Sequence, residues 1–368
     1  MTALFNGNNH SLAGPENIIA FVLNEREVTV GEVIRAAHFR GEALAPWHDL
    51  LAKLACGDHA SAREFEPDFE ALQARADQFR YDRGLITTEN TVRWLELRAL
   101  TEDDFSAYLV QCYWKDKLGK EIAPRDEDIF TAGPERSSQL AVELLLSGVF
   151  DRMSRDLRWR LAALSFQDAA SSDFGRRIVA ERALFFERIG LKQGGLDSWL
   201  EAVSGDKAWF EEMLALEAAY TERREAILTP EQVTRLLGSR RLDLIRFEVE
   251  KTGFNTPGAA FKAVSRGQEI RVSTEEKATA SGDPGTKPDF LAEDIPEDLQ
   301  IFLLSTPDDG LVSPPGDQSL VCLFRVQCKV EATATDKAIR PQVEDFLLKE
   351  SFDELCAGLG LKSSLALQ

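Results

Sequence analysis

LIRFEVEKTGFNTPGAAFKAVSRG, residues 244–267, is the stretch on which the fold turns. LIRFEVEK alternates apolar and polar side chains, the period of a half-buried strand. Thr256 and Pro257 then start a helix, with a hydroxyl at the cap and proline at the first helical position. That helix, PGAAFKAVSRG, stops on Gly267, a residue free to take the left-handed backbone that ends helices. Further along, EIRVS (269–273) reads as a second strand and TASGDPGTKPDF (279–290) as a loop of Gly, Pro and small polar residues. PEDLQIFLL (296–304) reads as a short helix. After the turn PDDG, LVSPPGDQSLVCLFRVQCKV (311–330) contains a β-hairpin.

Upstream the pattern changes to helices. AFVLNEREV (20–28) is a strand with a polar turn, and Thr29 with Glu32 forms a capping box for a helix running to Gly41. Helices follow in PWHDLLAKLAC (46–56), in residues 66–84, and in the two segments of 84–119, for which Thr88 and Thr101 are the expected N-caps. Residues 137–240 are almost wholly helical in pattern and close with the start signal Thr229, Pro230, Gln232. The chain ends with IRPQVEDFLLKESFDELCAGLG (339–360), a helix again closed by glycine. No repeat of fixed period is visible. The reading is an α+β protein: helical regions at 1–136 and 137–240, a smaller α/β domain at 241–332, and a C-terminal helical segment at 333–368 that packs back on the arms.

Composition narrows the classes. With 43 Lys and Arg against 62 Asp and Glu, the formal net charge is −19, and no basic block exists to meet a phosphate backbone. Nucleic acid is therefore not an expected partner. Neither is a membrane: the N-terminal residues lack a signal-peptide pattern, and no apolar run is long enough to span a bilayer. Five scattered cysteines, Cys56, Cys112, Cys322, Cys328 and Cys356, form no CxxC pair, so a reducing cytoplasm is expected.

The order strand, helix, short strand, loop, short helix and GLVSPP…SLVCLFRV resembles the parvulin (PpiC) type of peptidyl-prolyl isomerase domain. Gly310, Val312, Ser313 and Pro315 match that family's late signature, and Ala259, Ala260 and Gly267 suit its first helix. The flanking helices resemble the arms of SurA-type chaperones. LITTENTVRWLELRALTEDDFSAYL (85–109) is similar to a segment of parvulin-related peptide-maturation proteins that accompany gene cassettes for modified, ribosomally made peptides. The resemblance implies a peptide or unfolded-protein client, with peptide-modifying enzymes as further partners and no cofactor.

The resemblance also marks a loss. Parvulins keep one histidine on the first strand and one on the closing strand, whereas His10, His38, His48 and His59 all lie in the N-terminal arm. Arg246 stands at the first position, Cys322 at the second, and Ser319 matches a nearby hydroxyl residue. Prolyl isomerisation lowers a barrier of about 18–20 kcal/mol by weakening amide resonance, and needs no nucleophile. Arg only donates and a thiol bonds weakly, so this pair does not rebuild the histidine network. The expected protein is a client-binding chaperone or foldase with weak or no isomerase activity. An active isomerase and a non-catalytic scaffold of a modifying-enzyme complex are the alternatives. Phe247, Leu299, Phe302, Trp94 and Trp114 are the candidate client contacts.

Cys56 and His59 in CGDH have the spacing of half a zinc site, but the other half is missing, and a surface turn is expected there. Cys322 and Cys328 are six apart, too far along a strand for a disulfide or metal pair, and are expected to be small apolar strand residues.

Overall fold

The structure is a computed structural model; it describes residues 14–125, 129, 134–167, 172–254, 289–291, 303–307, 311–312, 321–331, 333, 336–337 and 339–365. The fold is α+β and mostly helical. It divides into two compact units, residues 1–224 with 351–368, and residues 225–350.

The first unit opens with a hairpin, β1 (Ile19–Leu23) and β2 (Arg26–Thr29). Its two-residue turn, Asn24 and Glu25, has φ of 48° and 64°, the left-handed pair that matches strand twist in tight hairpins. Thr29 then caps α1 (Val30–Phe39) in a full capping box: its side chain accepts from the Glu32 amide while Glu32 takes the Thr29 amide. Next come α2 (Leu44–Ala62), α3 (Phe69–Asp82), α4 (Thr88–Glu96) and α5 (Glu102–Leu118). The cap of α4 is Thr87, one residue earlier than expected, so that Thr91, Trp94 and Leu95 fall on the buried face. CGDH is not a turn: residues 56–59 lie inside α2, because Cys56 and Ala60 are needed in the core.

Helices α6 (Pro134–Ser147), α7 (Val149–Ser165), α8 (Ser172–Ile189), α9 (Leu196–Ala202) and α10 (Lys207–Ile227) complete the arms. Gly148, at φ +80°, makes the sharp corner between α6 and α7. One aromatic core stacks Phe39 on Phe185 at 4.8 Å, with Phe210 and Trp199 each 5.0 Å from Phe185. A second places Phe352 at 5.3 Å from both Trp159 and Tyr220. The chain's last described strand, residues Lys362–Ser363, pairs antiparallel with β1, so both ends of the described chain meet in one small sheet.

The second unit begins with α11 (Pro230–Ser239), capped by Thr229 with Pro230 at its first position. Among the described residues its sheet has four antiparallel strands, β3 (Arg246–Phe254), β4 (Asp289–Leu291), β5 (Leu311–Val312) and β6 (Val321–Val330), in the order β4-β3-β6-β5. The two-residue strand that pairs with β1 in the first unit is β7 (Lys362–Ser363), giving the order β2-β1-β7. Strand β4 falls at the end of the stretch expected to be a loop, and the β5/β6 pair is the expected hairpin. Phe247 and Val326 are fully buried in this unit, with Leu303 at 1% exposure. Helix α12 (Arg340–Gly358) follows, and Gly360 at φ +69° closes it. The expected helix after Pro257 and the strand at 269–273 lie outside the described residues.

Candidate functional site

The β3/β6 ladder is the frame on which an isomerase-like site would be built. It runs from Arg246 opposite Val330 to Phe254 opposite Val321. A register shift between Glu248 and Val249 inserts one extra residue in β6, since Cys328 faces Glu248 and Val326 faces Val249.

The ladder does not bring the candidate residues together. Arg246 lies opposite Val330 at one end, while Cys322 lies opposite Gly253 at the other. Seven residues of extended chain separate the two positions, roughly 24 Å at 3.4 Å per residue. Arg246 and Cys322, the positions matched in the sequence to two histidines, thus stand far apart along the ladder, because non-local register, invisible to a motif match, sets the spacing. Arg246 instead faces Asp336 at 3.8 Å, with both side chains largely covered. Ser319, Leu299 and Phe302 lie outside the described residues.

The other candidate contacts are frame rather than open surface. Phe247 is 0% exposed. Trp94 is buried, with the Arg98 guanidinium 3.8 Å above its ring and Phe79 edge-on at 5.6 Å. Trp114 is buried against Tyr113 at 4.9 Å and belongs to a separate cluster with Cys56 and Ala60. Long helices bury their aromatic faces unless a partner competes for them, which a count of tryptophans does not reveal.

Sequence reading missed a different constellation. Lys53 of α2 and Glu143 of α6 form a buried ion pair at 2.6 Å, with side chains 6% and 4% exposed. Lys53 also meets Asp49 at 3.0 Å, and Asp49 in turn pairs with Lys115. Tyr108 of α5 lies under the ammonium, its ring centre 4.8 Å from Nζ. Burial alone would lower the Lys53 pKa, but the Glu143 carboxylate overrides it and holds the lysine above its usual range. Burial pushes the neighbouring Cys112 thiol up, so it is a neutral, unreactive group. The signal was present in the sequence: LLAKLAC and AVELLL each carry one charge inside an apolar run.

Among the described residues no group of three potential metal ligands occurs, and no helix is long and apolar enough to cross a membrane. Among the described residues Cys56 and Cys356 are buried, Cys112 and Cys328 are partly buried, and none of the four is in a disulfide.

No family model matches the chain, and no curated protein matches it. Among solved structures it is similar to the peptidylprolyl isomerase PrsA from Bacillus cereus, with 10% identity, a TM-score of 0.36, and coverage of 60% of this chain and 85% of that one. The foldase protein PrsA from Streptococcus pneumoniae matches at 9% identity and a TM-score of 0.25, covering 58% and 87%. The peptidylprolyl isomerase PrsA from Bacillus anthracis matches at 7% identity and a TM-score of 0.28, covering 57% and 94%. At this degree of similarity the function has to be argued from the chain's own residues.

Proposed function

We propose that this protein binds a peptide or unfolded-protein client and assists its folding or maturation, with weak or no prolyl isomerase activity. The observation that carries the reading is the register of β3 on β6. The sequence order from 241 to 332 resembles a parvulin domain, yet Arg246 and Cys322 stand at opposite ends of the ladder. A prolyl peptide bond reaches only one of them at a time, so neither assists the other in weakening amide resonance. What is left of such a domain is a surface for extended chain, flanked by helical regions on both sides.

The functional divisions at 1–136, 137–240, 241–332 and 333–368 belong to the same proposal. Leu299 and Phe302 are its client contacts on the strand-rich domain, while Phe247, Trp94 and Trp114 hold the frame. A precursor peptide is the proposed client because residues 85–109 resemble the segment of peptide-maturation proteins, and peptide-modifying enzymes are its proposed partners. The cysteines, odd in number and scattered with no CxxC spacing, favour a cytoplasmic setting.

Two assays on the purified full chain test the reading. Aggregation of a chemically denatured client protein, followed by light scattering, is expected to slow at equimolar chain. Isomerisation of a proline-containing tetrapeptide is expected to proceed at the uncatalysed rate. Absence of both peptide binding and aggregation suppression sinks the chaperone reading. Turnover that disappears in Cys322→Ala replaces it with the isomerase.

A further inference from the structure

Helices α2, α5 and α6 pack against one another in the N-terminal arm and leave a cavity of about 270 Å³ between them. Its apolar wall is Leu50, Leu54 and Val142; its polar lining includes Tyr108, Gln111 and Gln139. Three carboxylates also line it, Asp104, Glu135 and Glu143, and no lysine or arginine is among the lining residues. Two cations touch lining residues without lining the cavity themselves. Lys53 is engaged with Glu143 at 2.6 Å, and Arg136 donates to the Gln139 amide oxygen at 2.6 Å.

The second observation is the buried pair itself. Withdrawing a lysine and a glutamate from water costs several kcal/mol per ion, so a buried ion pair is poor evidence of a stabilising role. Here its Glu143 carboxylate lines a cleft beside Tyr108 while Lys53 stands behind, and charged groups buried at a cleft are candidate binding groups. Asp104 is held in place by the Thr101 capping box, its carboxylate accepting from the Thr101 amide at 2.8 Å. The lining carboxylates are therefore held in place by backbone geometry at Asp104 and by Lys53 at Glu143.

We infer that this cavity is a pocket for a basic side chain of the client, a lysine or arginine flanked by apolar residues. The proposal deepens the client-binding reading above and rests on it. The methylene stem of such a side chain fits the Leu50, Leu54 and Val142 wall, as long cations routinely cover apolar surface with their stems. The charged head meets the carboxylate lining and donates charge-assisted hydrogen bonds. The volume lies near the lower end of small-molecule pockets, which suits one long side chain better than a cofactor. The overall charge of −19 favours approach of basic segments over acidic ones.

The test uses the full chain and a fluorescein-labelled heptapeptide of alternating alanine and leucine with one central lysine. Its partner peptide carries norleucine there, which keeps the stem and removes the charge. Fluorescence anisotropy is expected to give about tenfold weaker binding for the norleucine peptide, the size of one charge-assisted hydrogen bond. Ala107→Lys, at an exposed position on the lining, and Glu135→Gln are expected to remove most of that preference. Both variants are checked by circular dichroism for an unchanged melting temperature. Equal affinity for the two peptides overturns the pocket, as does binding by neither or a lysine preference untouched in both folded variants. The aggregation assay, run in parallel on wild type, reports the general client reading separately from all of these.

Discussion

His38 shows how one partly buried side chain sets a pH limit on the fold. It lies on α1, where burial pushes its imidazole down to about 4. The folded state therefore prefers the neutral ring, while the unfolded chain takes up a proton near pH 6.5. Stability from this residue is complete above that value, falls as pH drops from about 6.5 to about 4, and levels off below. At pH 4.5 the loss relative to pH 7 amounts to about 2 kcal/mol by linkage. His38→Gln is expected to flatten this limb, visible as a smaller difference between urea midpoints at pH 7 and 4.5 than in wild type. Parallel pH curves for the two proteins mean that His38 is not the group responsible.

At the scale of elements, the Lys53–Glu143 pair links α2 to α6 across 90 residues of sequence. Lys53→Met alone leaves Glu143 buried without its partner, an expected cost of about 3 kcal/mol. Lys53→Met combined with Glu143→Leu removes both charges and is expected to recover most of that loss, since an apolar pair of similar volume fits a helix interface. A double-mutant cycle in urea measures the coupling. Strictly additive losses contradict it. This pair also shows where sequence reading stopped. The capping box of Thr29 with Glu32 and the N-cap at Thr101 are legible because donor and acceptor sit three residues apart, and at Thr101 the structure adds Asp104 to complete a box. The cap of α4 slipped from Thr88 to Thr87 because two threonines offer the same chemistry and only burial of Trp94 and Leu95 chooses between them. Gly57 and Asp58 carry turn chemistry, yet core packing of Cys56 and Ala60 holds them in α2. The strand alternation that predicts β3 and β6 is local, but their register is not, and so the separation of Arg246 from Cys322 emerges only from the ladder.

For the whole molecule, the division into units gives two spectroscopic reporters with different reach. Trp47, Trp94, Trp114, Trp159, Trp199 and Trp209, all six tryptophans of the chain, fall in the unit made of residues 1–224 and 351–368. Tryptophan fluorescence is thus blind to residues 225–350, whereas far-ultraviolet circular dichroism also senses α11, the β3/β6 ladder and the start of α12. The 225–350 unit is the smaller, and small units bury a lower fraction of their surface and are correspondingly less stable. In a urea titration, circular dichroism is expected to begin falling before fluorescence does, with the fluorescence midpoint at the higher concentration. Single-probe two-state behaviour requires the two curves to coincide. Superimposable curves would mean that the units unfold as one cooperative body, joined through α10 and α12, each of which has residues in both. Separated curves would leave the helical unit folded over a range of urea in which the strand-rich unit is open. Within that range the lysine preference assigned to the cavity of α2, α5 and α6 is expected to persist, because every residue lining it belongs to the first unit. Its disappearance along with the early circular dichroism change would place the basic-side-chain site elsewhere.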